Sequence, residues 1–169
     1  DSLILTIRRP PISNLFPYTT LLRSIDDAFI LVESDLVFDS DLFEPMCYPN
    51  RIAISNILPW MTGTTVSLNN TNQVDTFHMA ANITKNRHYK TVNICSLSLK
   101  SWHKVLDRLD SYISAKNLNN YYEAVFSDLV TNKTLLFDAV MFDEKKLYEI
   151  DSLKDLDAAE GLFSITDEQ

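Results

Sequence analysis

With 169 residues, 46% of them hydrophobic, and nine Phe and seven Tyr, the chain has the composition of a packed globular domain rather than a disordered one. A formal charge of −8, with fifteen Lys and Arg against twenty-three Asp and Glu, argues against nucleic acid as the main partner. No apolar run approaches the length of a membrane span and no signal peptide is legible, so no membrane partner is expected.

The first stretch, through "TIRRPPISNLFPYTTLLRS", fits no natural element. Residues Ile7 to Ser24 match the translated sequence of a common sequencing-library adapter at every position except Ile12, Asn14 and Leu22. Residues 1–24 are therefore read as a non-native arm with little part in the core, and set aside. Three of the basic residues, Arg8, Arg9 and Arg23, lie in it, which leaves residues 25–169 more acidic still.

"DDAFILVES", residues 26–34, is a continuous apolar run between acids, as in a strand buried on both faces of a largely parallel sheet. "FDSDLFEPM" offers Asp39 or Ser40 as the cap of a helix shortened by Pro45. Residues 50–56 form a second strand candidate. "GTTVSLNNTN" and "QVDTFHMA" read as a hairpin around an Asn-rich turn. Residues 88–99 form a strand running into a helix, in which Trp102, Val105, Leu106, Leu109 and Ile113 recur at helical spacing. "YYEAVFSDLV" is a second helix and "TLLFDAVMF" a buried strand. Last, a Leu147–Ile150 strand meets a helix capped by Ser152, with Asp155 as capping-box partner. The pattern is α/β, one domain: three layers, a mostly parallel sheet flanked by helices.

Cys47 and Cys95 make neither a disulfide framework nor a metal spacing, and both read as reduced, buried thiols of a cytoplasmic protein. Asn69, Asn82 and Asn132 begin glycosylation-type triplets, taken as chance matches. With two glycines, Gly63 and Gly161, the chain holds no glycine-rich phosphate loop. His78, His88 and His103 show no ligand spacing.

Two acidic clusters fall at strand ends: Glu33-Ser34-Asp35 and Glu149-Ile150-Asp151. Ligands of open α/β sheets bind beyond the carboxyl ends of strands. Two carboxylates meeting there suit Mg²⁺ and phosphoryl or nucleotidyl transfer. Spacing alone leaves a second reading open, in which Asp35 and Asp151 only flank helices.

"FILVESDLVFD", "RIAIS", "YKTVNI", "YYE" and "YEIDSLKDLDAAEGLF", in that order over residues 26–163, resemble the sugar-nucleotidyltransferase-like family. The phosphocholine- and phosphonate-cytidylyltransferase-like members are most similar. The resemblance implies a nucleotide-diphospho-sugar transferase-like (GT-A, Rossmann-like) fold. It implies that Asp35 and Asp151 are catalytic residues holding Mg²⁺, with Glu149 a third ligand. It also implies transfer of CMP from CTP to a phosphorylated small molecule such as phosphocholine or an aminoalkyl phosphonate, releasing pyrophosphate. The family opens with a glycine-rich loop that this chain lacks. The expectation is therefore an N-terminally truncated fragment, residues 25–169 being the C-terminal part of the domain, inactive alone. Lys90 and Asn93 are candidates for the acceptor phosphate; Tyr122, Glu123 and Tyr148, with Tyr121, are candidates for a cationic head group. Lys90 as a solvated strand-entry residue and Tyr121-Tyr122 as an ordinary helix start stay open. Two alternatives are a GT-A-type glycosyltransferase holding its metal on Asp39 and Asp41, and a non-catalytic binding domain.

Overall fold

The computed structural model describes the backbone of residues 3–7 and the whole of residues 23–58, 61–79, 88–142 and 147–163. Its centre is β2 (Phe29–Glu33), every residue of which is buried. A run with apolar side chains on both faces can be buried only if the sheet is covered on both sides. Phe29 and Leu31 enter one core with Trp102, Val105, Phe126 and Phe137. Ile30 and Val32 enter the other with Met46, Phe142 and Leu147. Each such side chain contributes about 1.5–3 kcal/mol on burial.

The main sheet runs β1-β2-β7-β4-β8, with β5 on β7 and β6 on β5. These strands are β1 (Leu3–Ile7), β4 (Arg51–Ser55), β5 (Thr65–Leu68), β6 (Val74–His78), β7 (His88–Leu97) and β8 (Asp138–Met141). It is mixed rather than mostly parallel. β1–β2 and β4–β8 are parallel, but β7 runs antiparallel to β2, β4 and β5. The expected hairpin is β5–β6; its turn rests on the Asn69 side chain, which accepts from the backbone N–H of Thr71 and Gln73.

Helix α1 (Leu99–Ser114) begins at Ser98, whose side chain accepts from the Ser101 N–H. Helix α2 (Glu123–Thr131) packs beside it in the first core. Phe29 meets Trp102 edge-to-face at 5.0 Å, which ties β2 to α1. The segment expected as a helix after Asp39 is two 3₁₀ turns, Ser40–Leu42 and Glu44–Cys47, the second holding Pro45 near its start. β8 is an edge strand, with Asp138 and Met141 exposed, rather than a buried one. Helix α3 (Leu153–Leu162) starts at Ser152, which accepts from the Asp155 N–H and donates to its carboxylate at 2.7 Å.

Two short strands pair antiparallel as a ribbon of their own: β9 (Leu147–Glu149), expected as Leu147–Ile150, and β3 (Leu36–Phe38), which the sequence pattern did not mark. β1 lies inside the arm set aside above, yet pairs with β2 from Leu3↔Phe29 to Ile7↔Glu33. All of it but Ile7 precedes the adapter-like stretch. Residues 8–22, with Arg8 and Arg9, lie outside the described residues, as does Asn82. Cys95 is buried as expected, but Cys47 is exposed, because the 3₁₀ turn that holds it buries Met46 instead.

Candidate active site

The cleft is made by a change of partner along β7. From Leu97 to Ile94 one edge of β7 pairs with β2; from Lys90 to His88 the same edge pairs with β5. Between them β7 bulges: five residues, Thr91 to Cys95, lie opposite three, Ile54 to Ile52, on β4. Asn93 sits in this bulge with φ 57°, a left-handed conformation that asparagine tolerates better than most residues. Thr91 reaches across to β5, donating N–H and hydroxyl to the Thr64 carbonyl at 3.2 and 3.0 Å. The sheet therefore parts just past Glu33, at the carboxyl end of β2.

The β3–β9 ribbon closes this gap. Leu36 faces Glu149 in register, and the Ile150 N–H donates to the Asp35 carbonyl at 2.8 Å. Glu33 ends β2, Asp35 follows in the turn and Glu149 ends β9. One oxygen from each lies within 4.8 Å of the others. Glu33 is 1% exposed, while Asp35 and Glu149 are half-buried. Asp35 Oδ1 is shielded from solvent and has no hydrogen-bond partner. A buried carboxylate oxygen left so costs on the order of 1–3 kcal/mol. The donor set is all hard oxygen with a partnerless atom among it, and it fits a Mg²⁺-sized cation.

Of the residues expected to hold the metal, Asp35 and Glu149 come together and Asp151 stands outside the group. Asp151 is exposed on the wall of the same cleft, a space of about 640 Å³ that Asp35, Glu149, Thr62 and Tyr121 also line. Glu33 completes the group. It was legible as an acid of the first cluster, but only its orientation in the fold sets it beside the other two. A smaller adjoining lobe of about 100 Å³ is lined by Lys90, Tyr148, Glu149 and Asp151. Lys90 Nζ lies 3.9 Å from Glu149 Oε2, with a side chain only 6% exposed. It is not a solvated lysine.

The remaining candidates lie beneath the cleft. Tyr122, 6% exposed, donates its hydroxyl to Glu33 Oε1 at 2.8 Å, and its ring packs edge-to-face on Phe126. Burial, and then the Glu33 and Glu123 carboxylates, push its hydroxyl pKa well above the usual tyrosine range. Glu123 and Asn93 are buried and share a small interior cavity with Tyr122. The tyrosine that reaches the cleft is Tyr121, since successive residues entering a helix point about 100° apart. Asp39 accepts from the Asp41 N–H at 3.1 Å as the cap of a 3₁₀ turn, the local task that competes with a glycosyltransferase-type metal site. His78 stacks on His88 at 4.3 Å and meets Ser67 Oγ at 3.3 Å; His103 is exposed on α1.

No protein-family model and no curated protein sequence matches the chain. Solved structures do. The CTP:phosphocholine cytidylyltransferase of Streptococcus pneumoniae superposes with a TM-score of 0.70 at 13% identity, over 91% of this chain and 64% of that one. The inositol-1-phosphate CTP transferase of T. maritima gives 0.66 at 16% identity, over 89% and 61%. A CMP:2-keto-3-deoxy-manno-octonic acid synthetase complexed with CTP gives 0.56 at 13% identity, over 86% and 66%. The chain spans less than two thirds of each of them. In its mixed sheet, flanking helices and order of elements, the chain has the fold of the sugar-nucleotidyltransferase-like proteins.

Proposed function

We propose that residues 25–169 serve a Mg²⁺-dependent nucleotidyltransferase that moves CMP, or another nucleoside monophosphate, from its triphosphate to a phosphorylated small molecule. The observation that carries this reading is the group Glu33, Asp35 and Glu149 at the parting of the sheet, with Asp35 Oδ1 shielded and partnerless. CTP is favoured as donor because three structures of this fold are named for CTP or CMP chemistry.

In the reaction, a phosphate or phosphonate oxygen of the acceptor attacks the α-phosphorus. The new P–O bond forms as the bond to the bridging oxygen breaks, and pyrophosphate leaves with that electron pair. Glu33, Asp35 and Glu149 would hold a divalent cation, which would supply charge neutralisation for the two anionic substrates. The protein holds and orients; no covalent enzyme intermediate is needed. Lys90, at the wall of the smaller lobe, is the cation for the acceptor phosphate. Tyr121 and Tyr148, with Asp151 beside them, are the aromatic and acidic surface for a cationic head group such as that of phosphocholine. A cytoplasmic location belongs to the same reading, supported by thiols that form no disulfide. No helix among the described residues is long and apolar enough to cross a membrane.

The test is pyrophosphate release from CTP and Mg²⁺ with a panel of phosphomonoester and phosphonate acceptors. It is run on this chain and on the longest open reading frame that contains it, each with and without Asp35→Asn. Acceptor-dependent release abolished by the substitution is the expected result. Release from no nucleotide and acceptor pair by either protein refutes the reading.

A further inference from the structure

We propose that Tyr122 is a positioning residue, whose buried hydroxyl holds the Glu33 carboxylate in the orientation that lets it join Asp35 and Glu149 around a divalent cation. The inference rests on the metal reading above.

Glu33 is on the face of β2 that carries Phe29 and Leu31, the face covered by α1 and α2. Left to packing alone, its side chain points into an apolar layer. The Tyr122 hydroxyl gives it direction there, donating from the residue preceding α2, eighty-nine positions along the chain. The donor is itself fixed: its ring meets Phe126 edge-to-face at 5.4 Å and 78°, and Val125 and Phe126 anchor the first turn of α2 in the core. A hydrogen bond from a hydroxyl to an ionised carboxylate is among the stronger kinds and sets geometry as well as energy. Partners that orient metal-binding side chains in this way typically change metal affinity about 10–100-fold when removed.

The experiment is a Mn²⁺ titration, by calorimetry or by the loss of the free-ion spin-resonance signal, on the parent chain, Tyr122→Phe, Glu33→Gln and the double variant. Thermal unfolding is followed in parallel. Tyr122→Phe keeps the ring and removes one oxygen, so the packing on Phe126 is retained. We expect its Mn²⁺ dissociation constant to rise about 10–100-fold, with no further rise when it is added to Glu33→Gln. A lowered unfolding temperature with an unaltered Mn²⁺ constant means that Tyr122 only satisfies a buried acid, and overturns the inference. Should Tyr122→Phe not fold, Glu33→Gln decides: it can still accept from Tyr122, and undiminished Mn²⁺ affinity there overturns the inference too. A parent chain with no saturable Mn²⁺ binding refutes the metal reading itself, and this inference with it.

Discussion

Asp35→Asn makes the chain more stable without metal and less responsive to metal, and the size of both effects follows from the geometry. With three carboxylate oxygens inside 4.8 Å of one another, each like-charged pair repels by at least about 3 kcal/mol at an effective dielectric of about 20. Asp35 takes part in two of the three pairs. Its half-exposure and solution counterions screen most of this, and Lys90 offsets part of the charge on Glu149 from 3.9 Å. A net relief of about 1 kcal/mol is the expectation, or roughly 3 °C in unfolding temperature for a chain of this size. Asparagine replaces the carboxylate at nearly equal volume, so little packing is lost. Thermal unfolding at low ionic strength with a chelator should place Asp35→Asn about 3 °C above the parent. In Mg²⁺ the order should reverse. The parent gains about 2.7 kcal/mol at a hundred times its dissociation constant, and the variant gains little. A variant less stable than the parent in chelator would show that Asp35 is held by attractive contacts, and refute the reasoning. An equal rise in both proteins with Mg²⁺ would also refute it.

Three further outcomes follow from the same structure. Asp151→Asn should raise the Mn²⁺ dissociation constant less than Glu149→Gln does, since Asp151 lies on the cleft wall outside the group of three; a larger rise would place Asp151 among the ligands. Phe137→Ala should cost about 3–5 kcal/mol by denaturant unfolding, because the ring is fully buried edge-to-face against Phe126 at 5.4 Å and Phe77 at 6.5 Å; a loss under about 1 kcal/mol would mean the site collapses freely. A chain begun at Ile25 should unfold at a lower temperature than the whole chain, because it uncovers the edge of β2 that β1 pairs with; equal midpoints would make the first strand dispensable.

What the sequence determined by itself was local. The buried β2 was legible because an unbroken apolar run between acids has one comfortable environment, the middle of a covered sheet. Helix α1 was legible from its apolar spacing and its Ser98 cap, and α3 from Ser152 and Asp155, because caps and periodicity are satisfied within a few residues. The acids at the strand ends were visible for the same reason. Which of them meet was decided only by tertiary structure. Leu36–Phe38 finds Leu147–Glu149 more than a hundred residues away, a pairing that no local pattern marks. The left-handed turn at Asn93 parts the sheet and opens the cleft, and asparagine has many other uses. Tyr121 and Tyr122 look alike in the chain, yet one faces the cleft and the other is buried on Glu33, because adjacent residues entering a helix point in different directions. Glu33 joins the group while Asp151 stays on the wall because strand register, turn geometry and a distant hydroxyl fix where each carboxylate points.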